Sequence, residues 1–94
     1  MLRHEINVKQ NSKSRLIIEF CDSLLSNQDY SSVEIVFTAV GKAISKCVSC
    51  AEILKSKFPT LKQENQLSSI EMEQKQSDNI NIIKKSKLVI SLTK

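Results

Sequence analysis

Apolar and polar residues alternate from Glu5 to Lys9, with Ile6 and Val8 on one side and Asn7 and Lys9 on the other. That is the period of a short strand. Gln10-Asn11-Ser12 predicts a turn, in which Asn11 or Ser12 is suited to cap a helix. From Lys13 to Ser26 the apolar residues Leu16, Ile17, Phe20, Cys21, Leu24 and Leu25 are spaced as on one face of an amphipathic helix. Residues 27–31 read as a polar loop. Val33 to Val40 is almost continuously apolar and β-branched, which suits a central strand. Gly41 ends that strand. From Lys42 to Phe58 a helical pattern returns, with Ile44, Cys47, Val48, Ala51, Leu54 and Phe58 on one side, until Pro59 stops it. Two further strands are predicted, Leu67 to Gln74 and Lys87 to Thr93. Between them Lys75 to Ser86 reads as a long polar hairpin loop.

The order β-α-β-α-β-β predicts an α/β two-layer sandwich, with two helices on one face of a four-stranded mixed sheet. Residues 1–94 make a single domain, without repeat or linker. A core of this size supports only marginal stability, so dimerisation is a natural supplement.

The formal charge is +4. That sign favours polyanionic partners, RNA or DNA foremost, although a charge of this size also serves solubility alone. Only Arg3 and Arg15 among the 14 basic residues are arginines. Lysine is a good point charge for phosphate and a poorer bidentate partner for guanine, so backbone contact is expected over base readout. The three cysteines, Cys21, Cys47 and Cys50, are odd in number and lie in apolar helical patterns. They predict reduced thiols in an intracellular protein, nuclear or cytoplasmic, and not a disulfide scaffold. No apolar run approaches the roughly 18 residues of a membrane span, and the first residues do not resemble a signal peptide.

The constellations of an enzyme are missing. The single histidine, His4, is expected in a frayed terminus, and one glycine cannot make a nucleotide-binding loop. Cys47-Val48-Ser49-Cys50 has metal-pair spacing but supplies only two of the four ligands of structural zinc. Small buried hydrophobes are the simpler role for both thiols. Glu71 and Glu73 share a strand face, where cross-strand pairing with a lysine such as Lys87 is simpler than acid–base work. No catalytic residue, metal, cofactor or small-molecule substrate is therefore assigned.

The basic residues carry more. Lys9, Lys13 and Arg15 surround the first strand-to-helix turn, and Lys42 and Lys46 open the second helix, facing outward. Helix starts offer free N–H groups and a positive dipole end, so these lysines make a phosphate surface plausible. Lys75, Lys84, Lys85 and Lys87 flank the hairpin, where a basic arm could follow a groove. Each group taken singly is equally a solvated charged surface. The three phenylalanines, Phe20, Phe37 and Phe58, lie in core patterns, so no base-stacking platform is expected.

The stretch Glu34-Ile35-Val36-Phe37-Thr38-Ala39-Val40-Gly41-Lys42-Ala43-Ile44-Ser45-Lys46-Cys47-Val48, with Ala51-Glu52-Ile53 after it, resembles the Alba family of nucleic-acid-binding proteins. It is similar to that family's strand, Gly-basic-Ala-Ile-Ser-basic segment and second helix. Lys87-Leu88-Val89-Ile90-Ser91-Leu92 resembles the closing strand. Val48-Ser49-Cys50-Ala51-Glu52-Ile53 and the segment Ser12-Lys13-Ser14-Arg15 are similar to the Alba-type subunits of eukaryotic ribonuclease P and MRP. Leu67-Ser68-Ser69-Ile70-Glu71 is also similar to plant and protist members.

The resemblance implies a homodimer or heterodimer that binds double-stranded DNA or structured RNA in RNA metabolism or chromatin. It implies contacts from the first loop, the start of the second helix and the arm. In this sequence those are Lys9, Lys13, Arg15, Lys42, Lys46, Lys84 and Lys85. Archaeal members carry a Gly-Lys-Lys-Pro-like loop, from which Asn11-Ser12-Lys13-Ser14-Arg15 departs while keeping positive charge. The alternative role is a structural or heterodimerisation subunit of a ribonucleoprotein such as ribonuclease P/MRP.

Overall fold

A computed structural model of the chain describes residues 2–27, 32–76 and 79–94. The elements are β1 (Leu2–Val8), α1 (Ser14–Ser26), β2 (Val33–Val40), a 3-10 turn (Gly41–Ala43), α2 (Ile44–Lys57), β3 (Lys62–Gln76) and β4 (Asn79–Thr93). Both helices pack on one face of a four-stranded sheet in the order β1-β2-β4-β3. β1 runs parallel to β2, and the other neighbours are antiparallel. The polar loop read over 27–31 lies, apart from Asn27, outside the described residues.

The alternation on the strands decides which face the helices cover. On β2, Val33, Ile35, Phe37 and Ala39 are fully buried, and paired β4 adds Leu88, Ile90 and Leu92 on the same face. Cys21 and Leu25 of α1 press on this layer, as do Cys47, Ala51 and Leu54 of α2. Val36 points to the other face yet is also buried, which fits the central position of β2 between β1 and β4. All three cysteines are buried free thiols, as expected of small hydrophobes.

Three expectations change. His4 is not frayed: β1 starts at Leu2, His4 pairs with Ile35, and its ring meets Phe20 edge-on at 5.5 Å. Phe20 in turn is not a core residue, being 47% exposed, and Leu16 one turn earlier is 58% exposed. The apolar stripe of α1 is wider than its contact with the sheet. Cys21 and Leu25 reach the centre, and Leu16 and Phe20 fall on its outer rim. The third change concerns the hairpin. Pairing of β2 with β4 stops at Val40 and Lys87, but β3 and β4 stay paired out to Gln76 and Asn79. The expected loop over 75–86 is largely strand, and 69–76 with 79–86 project as a two-stranded ribbon. The molecule is accordingly elongated, 55 × 22 × 20 Å. A ribbon free of the helices needs no apolar face, which is why polar composition suggested a loop.

Candidate nucleic-acid interface

The parallel strands β1 and β2 end side by side, and the chain leaves each of them into a basic segment. Gly41 takes φ +61° at the end of β2 and starts the 3-10 turn, which hands over to α2 through the Ile44 N–H donating to the Gly41 carbonyl. L-residues with a Cβ avoid this left-handed region, which explains a glycine here. The outgoing ribbon brings Lys85 over the same point, so that a Cβ on Gly41 would sit 3.6 Å from Lys85 Cδ. An open cleft of about 550 Å³ results, with Lys9, Lys42 and Lys85 on its walls beside Asn7 and Gln10. No carboxylate lines it among the described residues. Three segments far apart in sequence thus contribute one cation each to one concavity.

Lys46 behaves differently from its expected outward pose. It is half-buried, and its Nζ donates to the carbonyls of Gln10 and Ser12, each at 2.6 Å. The loop between β1 and α1 also bonds to itself. The Ser12 N–H donates to the Lys9 carbonyl at 3.0 Å, and the Lys9 N–H to Ser12 Oγ at 2.9 Å. Ser12 therefore does not cap α1. Lys13 takes the cap position without a side-chain bond, and neither Asn11 nor Ser12 fills the expected role.

The charge at the helix starts runs against helix stability. Neither α1 nor α2 has an acidic residue in its first turn. Lys13 and Arg15 flank the start of α1, and Lys42 precedes α2. Cations at the positive end of a helix dipole are unfavourable unless an anion joins them. Arg15 is partly compensated by Glu19 at 3.0 Å, one turn on, but it is 87% exposed and that pair is worth little. Lys84 and Lys85, as neighbours on a strand, point to opposite faces of the ribbon. Lys84 stands opposite Glu71, and Lys85 stands over Gly41. Lys87, expected to answer Glu71, is instead opposite Ser68 and half-buried. The side chain of Lys75 lies outside the described residues.

The structure brings Lys9, Lys42 and Lys85 together, leaves Lys13, Arg15 and Lys84 exposed outside that cleft, and turns Lys46 onto the loop. Charge clustering was enough to find the cations. The convergence of Lys85 with Gly41 depends on the length of the paired ribbon, and the Lys46 contacts go to main-chain carbonyls, which leave no side-chain signature.

The buried thiols offer no reactive group beside this site. Burial pushes the Cys21 thiol up to about 12, and neighbouring Cys50 adds to the effect. The same two causes, in the same order, raise Cys47 to about 11. Among the described residues, no helix is long and apolar enough to cross a membrane.

Comparison with known proteins defines first a class of fold and then a family. The two-layer sandwich is shared with the solved structure of Alba from Thermoplasma volcanium, at a TM-score of 0.74 and 26% identity, covering 97% of this chain and 100% of that one. The Alba family model matches residues 4–71, and the chain belongs to the Alba family, whose members are generally nucleic-acid-binding proteins that form dimers. No curated protein sequence matches the chain.

Proposed function

We propose that this protein is a non-catalytic binder of structured nucleic acid, RNA or double-stranded DNA, that acts as a dimer and grips the phosphate backbone. The observation that carries the proposal is the cleft at the ends of β1 and β2, where Lys9, Lys42 and Lys85 face one concavity without a lining carboxylate. Three like charges held together repel one another in the free protein, and a phosphate entering the cleft relieves that repulsion. Lys13 and Arg15, exposed at the start of α1, extend the contact, and Lys84 offers a further cation on the opposite face of the ribbon. The scarcity of arginine and of aromatic residues supports backbone contact over base readout.

Titration of binding to a duplex against salt tests this. Each phosphate neutralised contributes about 0.9 to the log–log slope on B-DNA, so binding through the cleft and its rim gives a steep slope. Replacing Lys42 and Lys85 by Glu lowers affinity across unrelated sequences while thermal unfolding stays cooperative. Affinity that ignores salt overturns the proposal. The same titration separates the ribonucleoprotein-subunit role, in which the purified chain binds RNA only together with a second Alba-like chain. Sequencing of nucleic acid crosslinked to the protein in cells distinguishes a place in RNA metabolism from one in chromatin.

A further inference from the structure

We propose that Lys46 is a positioning residue for the phosphate cleft: it holds the loop between β1 and α1 in shape and does not itself present charge to phosphate. The inference rests on the cleft reading above and adds a division of labour among its lysines.

The geometry is specific. The ammonium of Lys46 carries three donors, and two of them are taken by the carbonyls of Gln10 and Ser12 at 2.6 Å. These charge-assisted bonds are short, and they cross from α2 to a loop that is 34 and 36 residues distant in sequence. The loop they hold begins with Lys9, a wall of the cleft, and ends with Lys13, the first residue before α1. Its internal bonds, between the N–H of Lys9 and Ser12 Oγ and between the N–H of Ser12 and the Lys9 carbonyl, define a turn that the ammonium closes from beneath.

Electrostatics gives the contact a second effect. A carbonyl oxygen is the negative end of its dipole, and two of them beside a phosphate site oppose binding. Lys46 directs both oxygens onto itself, so the surface left to the anion is that of Lys9, Lys42 and Lys85. Lys42, only four residues earlier, is exposed on the cleft wall. Two lysines one helical turn apart thus do different work: Lys42 meets the ligand, and Lys46 shapes the site.

Two measurements on the whole 94-residue chain test this. The first uses the free wild-type chain and an amine-acetylating reagent, with modification at each lysine read by mass spectrometry. Lys46 should react about tenfold more slowly than Lys9, Lys42 and Lys85, because two hydrogen bonds must break first. Equal reactivity overturns the proposal, and this test needs no variant to fold. The second compares Lys46→Met and Lys42→Met by amide hydrogen exchange and by duplex binding against salt. Lys46→Met should speed exchange at the Lys9 and Ser12 amides and lower affinity while keeping the salt slope of the wild type. Lys42→Met should leave those amides protected and reduce the slope by about 0.9. A slope reduced by the same amount in Lys46→Met, with exchange unchanged, makes Lys46 a direct ligand and overturns the proposal. Faster exchange with unchanged affinity, while Lys42→Met binds weakly, overturns it by showing that loop shape does not matter. If neither variant loses affinity, the cleft reading fails first, and the role of Lys46 fails with it.

Discussion

Lys85 lies over Gly41, with its Cδ 3.6 Å from where a Cβ on the glycine would stand. That separation is ordinary van der Waals contact, so space does not explain the glycine; its φ of +61° does. Gly41→Ala is therefore expected to destabilise the fold by about 1–2 kcal/mol, the cost of the left-handed region for an L-residue. Gly41→Asn should cost less, because asparagine tolerates this region. Denaturant unfolding of the two variants checks the order, and an alanine variant as stable as the wild type would show that the turn relaxes.

Lys94 holds the other end of α1. Its Nζ donates to the Leu25 carbonyl at 2.9 Å and to that of Asn27 at 3.4 Å, and its N–H donates to Val33 at 2.8 Å. α1 has no basic residue of its own in the last turn, so a cation from the far end of the chain meets the negative end of the dipole. Lys94→Met is expected to lower stability by about 1 kcal/mol. Thermal unfolding at low and high salt checks it, with the difference narrowing as salt screens the charge.

Those two contacts show where sequence reading stops. The strand Val33–Val40 and the helix after Gly41 were legible because a continuous β-branched run and a helical apolar stripe need no distant partner to be recognised. The two-layer arrangement followed from the element order. The inner arm of the ribbon was legible within the strand read over Leu67–Gln74, but residues 75–86 were misread as loop, because neither face there is covered by the helices and the polar composition outweighed the strand signal. The cations of the proposed phosphate cleft were legible as charge, since Lys9, Lys42 and Lys85 are the kind of residue that meets phosphate. Its geometry was not. The bonds of Lys46 and Lys94 end on carbonyls, which every residue has, so nothing in the sequence announces them.

The buried thiols set an alkaline limit. Burial raises Cys21 to about 12 and Cys47 to about 11, while an unfolded thiol ionises near pH ~8.5. Below that pH both states hold the proton, and the contribution to stability is fully present. Above it the unfolded chain releases protons that the folded chain keeps, so stability falls as pH rises towards the folded values. Denaturation midpoints between pH ~8 and ~10 should drop, and the drop should shrink in Cys21→Ala. A midpoint flat over that range contradicts the burial argument.

Acid acts through Asp22. The hydroxyl of Ser26 donates to its carboxylate at 2.9 Å and Lys57 of α2 donates at 3.1 Å, and both hold the carboxyl below its ordinary range. A carboxylate with a depressed folded value contributes stability above its unfolded pKa and loses it as pH falls through the folded one. Asp22→Asn should therefore lower stability at neutral pH and flatten the acid limb below pH ~4. The Asp22 side chain is half-exposed, so the effect is small and shrinks with salt.

The pairing of Glu71 with Lys84 offers a test of the ribbon itself. The register sets these two residues directly opposite, with Ile70 opposite Lys85 as the next pair. Opposed side chains on an antiparallel pair interact by roughly 0.2–1 kcal/mol, and like charges reverse the sign. Glu71→Lys alone should loosen the ribbon near its base, seen as faster amide exchange there. Adding Lys84→Glu restores the opposite charges and should recover the protection, with a coupling of about 0.5 kcal/mol in a double-mutant cycle. Exchange of Glu71 with Lys87 in place of Lys84 should give no such recovery, because Lys87 pairs with Ser68. Recovery with Lys87 and not with Lys84 would mean that the strands are shifted by three residues, and Lys85 would then no longer stand over Gly41.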